Sequence, residues 1–269
     1  MVNDRFFGTE SQQSLLRRGR SIYDLFAGDV RVSYYGRTVG LLRPSAEGGP
    51  LMDRLIALQG ASTYADVPAE NADIVQSELE ARGYSITRYQ CWSGGDTAIK
   101  AARNIVATNA LPKGITAHWI DADAPDLHLE RLADVALCCG VLPLAGSVLR
   151  GQLKPGLGIV ALDEHGQAAS CAAASSFAHP DDTIRGSEAW WGMLATHKQH
   201  RGKKLALILV AMALLKMHER FGFQQFMTGV QPGNTASEAV CAKTGLSPQP
   251  RIILTAVDAE ALPGGKLTS

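Results

Sequence analysis

One stretch, Glu188 to Met217, constrains the fold more than any other part of the chain: EAWWGMLATHKQHRGKKLALILVAMALLKM. Its first part is an apolar strand with two tryptophans, its middle a turn centred on Gln199-His200-Arg201-Gly202-Lys203-Lys204, and its last part an apolar helix. A helix this apolar has to be covered on most sides, and a strand feeding into it through a short turn places that cover on a sheet. The segment therefore reads as a strand–turn–helix crossover of an α/β protein. The turn also has a chemical reading. The first N–H groups of a helix lack intrahelical acceptors and lie at the positive end of its dipole, which favours a phosphate there. Arg201, Lys203 and Lys204 strengthen that field. A solubilising turn between two buried elements is the plainer reading, and spacing alone does not separate the two.

Composition narrows the setting. With 269 residues, 46% hydrophobic and 19% charged, the chain has enough material for one large core or two modest ones. Lys plus Arg, 26, equals Asp plus Glu, 26, so no overall field points to nucleic acid and any basic site is local. The five cysteines, Cys91, Cys138, Cys139, Cys171 and Cys241, are odd in number and lack a Cys-x-x-Cys spacing. That argues against a disulfide framework and against a metal site, and suits a reducing cytoplasm. The opening MVNDRFFGTESQQ has no apolar core of the signal-peptide kind, and the longest apolar run, Leu205 to Leu215, has 11 residues. A membrane span needs about 20, so no membrane association is expected.

Taken in order, Leu15, Leu16, Ile22 and Leu25 are spaced for one helical face, and residues 30–34 and 39–42 read as strands around a Tyr35-Gly36-Arg37 turn. Helices are expected over 51–58 and over 71–82, the latter with Ile74, Leu79 and Ala81 inward and Gly83 as its stop. A strand over 84–92 leads into Ser93-Gly94-Gly95-Asp96-Thr97 and a helix to Val106. That glycine turn lacks the Gly-x-Gly-x-x-Gly and Gly-Lys-Ser/Thr patterns, so a plain helix start is the stronger reading over a second ligand site. Residues 109–114 form the best linker. Beyond it come a strand over 115–120, a helix over 127–139 with Leu127, Leu129, Leu132, Val135 and Leu137 available for burial, and Cys138 and Cys139 as small core residues. Strands over 158–162 and 167–177 form a hairpin; strands over 188–196, 225–230 and 251–257 then alternate with helices over 203–221 and 236–243. The order describes a mixed α/β sheet, an α+β arrangement in which parallel and antiparallel strands coexist.

Two stretches in this frame carry a resemblance. Leu194 to Ala206 resembles the acyl-CoA signature of the GNAT superfamily of N-acetyltransferases, Arg/Gln-x-x-Gly-x-Gly/Ala. Arg201 and Ala206 fit its ends, and Lys204 stands at its middle glycine. Asn234-Thr235-Ala236-Ser237-Glu238-Ala239-Val240-Cys241-Ala242-Lys243-Thr244-Gly245-Leu246 resembles the family's Asn-x-x-Ala-x-x-Leu-Tyr-x-Lys-x-Gly-Phe stretch. The resemblance spans about 115–257. It implies a GNAT-like acetyltransferase domain at 113–262, preceded by a smaller α/β domain at 1–112 of unassigned role and followed by a tail at 263–269. Asn71 through Gly83-Tyr84 faintly echoes the second stretch, so a degenerate duplicate of the fold is one account of the first part.

What the resemblance implies chemically is transfer of an acetyl group from acetyl-CoA, as cosubstrate and without a metal, to a primary amine on a small molecule or peptide. Leu194 matches the strand position whose N–H holds the oxyanion, and Thr196 the position of a main-chain contact to the pantetheine arm. Arg201, Gly202, Lys203, Lys204, Leu205 and Ala206 match the pyrophosphate turn, and Asn234 opens the second motif. Glu188 is the expected base, with His197 as a second candidate. Cys241 stands where family members often carry the tyrosine that protonates the departing thiolate. A non-catalytic acyl-CoA-binding module is the alternative, motivated by Lys204 and Cys241. Trp190 and Trp191 alternate across their strand, so one of them lines the cleft. The oligomeric state is left open, with a homodimer among the alternatives.

Overall fold

The computed structural model of the chain describes residues 4–260. The first part comprises α1 (Glu10–Phe26), β1 (Val32–Ser33), β2 (Gly40–Leu41), α2 (Gly48–Gln59), β3 (Ala61–Pro68), α3 (Ala72–Ala81), β4 (Ser85–Gly94) and α4 (Asp96–Thr108). After it come β5 (Thr116–Ile120), α5 (Asp126–Cys138), α6 (Gly146–Leu149), β6 (Gly156–Leu162), β7 (Ala168–Ser176) and β8 (Glu188–Thr196). The chain continues with α7 (Leu205–Phe221), β9 (Gln225–Val230), α8 (Thr235–Lys243) and β10 (Ser247–Val257). The expected tail, 263–269, lies outside the described residues.

All ten strands share one mixed sheet, ordered β1-β2-β3-β10-β4-β9-β8-β7-β6-β5. Two faces cover it. On one side Val210, Ala211 and Leu214 of α7 pack with Ala174, Trp191 and Phe226. On the other, Leu129, Leu132 and Val135 of α5 pack with Val160, Cys171, Ala173 and Trp190. Neighbouring strand residues fall into opposite clusters, as a period of two requires. Helix α7 buries Leu205, Ile208, Leu209, Leu214 and Met217 among others, each apolar side chain contributing about 1.5–3 kcal/mol. This is why the stretch reads as apolar almost all round.

The sheet does not break where the linker was expected. That linker is the loop between α4 and β5, yet every ladder partner of β4 (β9 and β10) and of β10 (β3 and β4) lies across residue 112. The units β3-α3-β4 and β9-α8-β10 have the same layout, two parallel strands with a gap for one strand between them. Strand β10 fills the first gap and β4 the second. Each unit thus supplies backbone acceptors and donors that the other's strands need.

Several expectations require correction. Strand β3 went unassigned because Ala61-Ser62-Thr63-Tyr64-Ala65-Asp66 has no apolar period; its polar groups are satisfied internally, Thr63 Oγ1 meeting Thr255 Oγ1 at 3.0 Å. The inner face of α3 is Ala72, Val75 and Leu79, which turns Ile74 outward at 62% exposure and leaves Ala81 exposed. Leu25 and Leu127 are exposed as well. Cys138 is exposed and Cys139 only partly covered, because the helix ends there. The Ser93–Thr97 turn is closed by packing: a Cβ on Gly94 would meet Gly245 O at 2.6 Å, and Thr97 Oγ1 donates to that same carbonyl at 2.9 Å. No room for a ligand remains at that approach.

Candidate active site

Strands β8 and β9 pair in parallel only at Glu188–Trp190 with Gln225–Met227. Beyond Trp190 they diverge, and β9 keeps only β4 as a neighbour, Trp92 opposite Thr228 and Gln90 opposite Val230. The cause lies in β8. Its register with β7 passes from Ala173↔Gly192 to Cys171↔Ala195, so Met193 and Leu194 stand opposite the single residue Ala172, a β-bulge. Met193 takes φ 55°, a left-handed conformation costly for a non-glycine residue. Its side chain and carbonyl are held: Sδ accepts from Leu144 N–H at 3.4 Å, and the carbonyl from the Cys171 thiol at 3.3 Å.

A cavity of about 240 Å³ fills the wedge. Trp191 to Leu194 of β8 and Met227 to Val230 of β9 form its walls. At one end stand Asn234, Ser237 and Cys241, the first residue preceding α8 and the others on it; at the other, Tyr35, Arg37, Tyr89, Phe177 and Trp190. Trp190 is the tryptophan whose ring belongs to this second end, stacked on Tyr35 at 5.0 Å and 16°. Gly192 makes that possible, since a Cβ there would lie 2.3 Å from the Trp190 ring. Trp191 instead packs under α7, with Nε1 buried and unbonded. The sequence offered no sign of Tyr35, Arg37 or Tyr89, which come from the first 112 residues: Tyr89 lies on β4 beside β9, and Tyr35 and Arg37 lie in the β1–β2 turn, which the Tyr34 N–H ties to Phe177 O at 2.8 Å.

The basic turn leads from β8 into α7. The first intrahelical bond is Ile208 N–H to Lys204 O, 3.0 Å, so the N–H groups of Leu205, Ala206 and Leu207 precede it. Lys204 is the N-cap at φ 59°, ψ 15°, the geometry for which a glycine is suited, and its Nζ reaches Asn109 Oδ1 at 3.0 Å. Arg201 Nε donates to Thr196 O at 3.4 Å, and Cys139 Sγ to that same oxygen. The Thr196 carbonyl is therefore engaged within the protein, and Thr196 lies outside the cavity walls. Gly202 and Lys203 complete an exposed turn. Substituting Lys204→Gly is expected to leave stability unchanged or slightly raised, whereas Lys204→Val should cost about 1–2 kcal/mol; urea unfolding of both variants checks this.

Three other expected site residues fall into place differently. Asn234 lines the cavity and caps α8, its Oδ1 accepting from Ser237 N–H at 3.1 Å. Cys241 also lines it, fully buried, and burial pushes its thiol up to about 12. Glu188 does not line it. The structure brings that carboxylate to a buried ion cluster instead, with Oε2 accepting from Arg251 Nη1 at 3.0 Å and Oε1 from Arg251 Nη2. His197 likewise lies outside the walls, and among the described residues that line them there is no carboxylate or imidazole side chain. Among the described residues no His, Cys, Asp and Glu cluster is arranged to hold a metal.

Comparison with known proteins places this geometry. The Acetyltransferase (GNAT) family model matches residues 129–246. Among solved structures, a GCN5-related N-acetyltransferase from Kribbella flavida superposes with a TM-score of 0.56 at 15% identity, over 93% of this chain and 96% of its own. A tandem GNAT protein from the clavulanic acid biosynthesis pathway gives 0.52 at 18% identity, over 77% and 67%. A GCN5-related N-acetyltransferase-like protein from Streptococcus suis gives 0.51 at 15%, over 84% and 82%. At such identities the superpositions speak for the fold, and the tandem protein fits an arrangement of two parts. No curated protein matches the chain. The chain has a GNAT fold, and its residues 129–246 match the acetyltransferase (GNAT) family model.

Proposed function

We propose that the chain is an acyl-CoA-dependent N-acetyltransferase, moving an acetyl group from acetyl-CoA to a primary amine by direct attack in a ternary complex. The observation that carries this reading is the bulged wedge between β8 and β9, with α7's free N–H groups following β8 and an aromatic chamber on the far side of the sheet. Leu194 N–H, in the bulge, is the proposed donor to the oxyanion, where a fixed donor is worth most. The turn from Arg201 to Ala206 is the proposed pyrophosphate seat, since helix N–H groups and the dipole favour anions. With no base in the walls, the ammonium proton leaves to solvent before attack, and the wedge contributes position and charge stabilisation. Cysteines left free, all five of them, suit a cytoplasmic setting.

Cys241 is a weak candidate for returning the proton. A thiol at about 12 donating to a thiolate with a reference value near 8.5 works uphill by on the order of 5 kcal/mol. Cys241→Ala is accordingly expected to change kcat by less than about tenfold, against the 10²–10⁴-fold typical of a general acid. Titration calorimetry with acetyl-CoA tests the binding claim, and absence of heat with a folded sample at millimolar ligand removes it. A non-catalytic acyl-CoA-binding module is favoured by one observation, the missing carboxylate and imidazole in the walls. Acetyl-CoA binding without thiol release across a broad amine panel would establish that second reading.

A further inference from the structure

Arg37 is a buried cation without a counterion among the described residues. It sits in the turn between β1 and β2, 9% exposed, and its guanidinium lies 6.0 Å from the Trp190 ring centroid. Nε donates to Leu142 O at 2.9 Å and Nη2 to the same oxygen; among the described residues Nη1 has no hydrogen-bond partner. Among the described residues no Asp or Glu pairs with it, although the other buried arginines are paired, Arg150 with Asp126 and Arg251 with Glu188. A buried charge left unpaired is strongly unfavourable. Arg37 also lines the cavity, at the aromatic end with Tyr35, Tyr89, Phe177 and Trp190.

We infer that the acceptor is an aminocarboxylate: its carboxylate pairs with the free edge of Arg37, its apolar body lies among the aromatic rings, and its amine points toward the β8 bulge. A single negative charge balances the single guanidinium. A phosphate dianion would leave one charge uncompensated in the same chamber, at a large desolvation cost. The guanidinium also disfavours a neighbouring ammonium, since like charge lowers an amine's pKa, which promotes the neutral nucleophile in a wedge that holds no base. The assignment of the amine as acceptor rests on the acetyltransferase reading; the anion site at Arg37 does not.

The experiment pairs L-phenylalanine, β-alanine and 6-aminohexanoate each with its own carboxamide. Thiol release from acetyl-CoA is measured, and binding of the same compounds alone is followed by tryptophan fluorescence. At least one acid should exceed its amide tenfold or more in kcat/KM and in affinity. Arg37→Gln should abolish that preference with acetyl-CoA affinity kept, and Arg37→Lys should retain part of it. Equal acids and amides in both measurements, or a preference unchanged in Arg37→Gln, would overturn the inference. If acetyl-CoA neither binds nor turns over, the acetyltransferase reading falls, and the fluorescence titration still decides the anion site. Should Arg37→Gln fail to fold, the acid-to-amide ratio of the unaltered protein and of Arg37→Lys decides.

Discussion

Replacing Arg251 with methionine is expected to lower the unfolding free energy by about 3–5 kcal/mol and the melting temperature by on the order of 10 °C for a chain of this size. Arg251 belongs to a six-charge cluster to which the loop preceding β8 contributes Asp182 and Arg185. It holds both oxygens of Glu188 and approaches Asp66 Oδ1 at 3.7 Å. Arg185 Nε reaches Asp66 at 2.9 Å and Glu188 at 3.7 Å. Arg43 bridges Asp66 at 3.2 Å and Asp182 at 2.9 Å. Side chains of Arg251, Glu188 and Asp66 are 7%, 3% and 8% exposed, so removing the arginine leaves the buried Glu188 carboxylate with only Arg185, at 3.7 Å. The double variant Arg251→Met with Glu188→Met should recover much of the loss, because Asp66 keeps Arg43 and Arg185. A double variant no more stable than the single one would contradict this account.

The same cluster sets the acid limit. Arg43 hydrogen bonds hold Asp182 at about 2. Burial pushes Asp66 up, but Arg185, Arg251 and Arg43 together outweigh it and keep that group below its ordinary value. A depressed carboxylate contributes stability above its unfolded value, near 3.9, and loses it as pH falls through the folded value. Unfolding free energy should therefore decline as pH drops from about 4 toward 2, and Arg43→Gln should flatten that decline.

The second large effect concerns turnover. Leu194→Pro removes the proposed main-chain donor while keeping an apolar side chain, and is expected to lower kcat by about 10²–10³-fold, the usual consequence of losing one oxyanion donor. Acetyl-CoA affinity should be little changed, because the turn proposed to seat the pyrophosphate lies beyond the bulge, at 201–206. Calorimetry and thiol release on the same folded sample separate the two. A variant that keeps its melting temperature and its kcat would dismiss Leu194 as the donor. Glu188→Gln provides the complementary check: as a member of the ion cluster its substitution should move stability and leave the pH profile of turnover in place, whereas a base would move the profile.

What could be read from residues alone was the crossover and its two motifs. Local order carried them: β8 and β9 form with the expected bounds, α7 and α8 within two residues of theirs, because a strong period and a basic turn are properties of consecutive residues. Lys204 in place of glycine was visible too, although its left-handed backbone was not. Faces of the short helices α3 and α5 were misjudged at Ile74 and Leu127, since which arc of a short helix points inward depends on what it packs against. Glu188 shows the same limit at the site. Its place at the head of β8 matched a catalytic position, but Arg251, 63 residues away, takes its carboxylate out of the wedge.

The sequence by itself determined the elements that form locally: the apolar helix, the basic turn before it, and the Asn-capped helix α8. Only the tertiary structure decided that β4 and β10 exchange across residue 112, which sets Tyr89 beside β9, and that the β1–β2 turn brings Tyr35 and Arg37 to the same cavity as Leu194 and Cys241. The reason is physical. A strand's partners are chosen by backbone hydrogen bonds, which are the same for every residue type except proline. Periodicity records that a strand exists and carries no label for the distant strand that will pair with it.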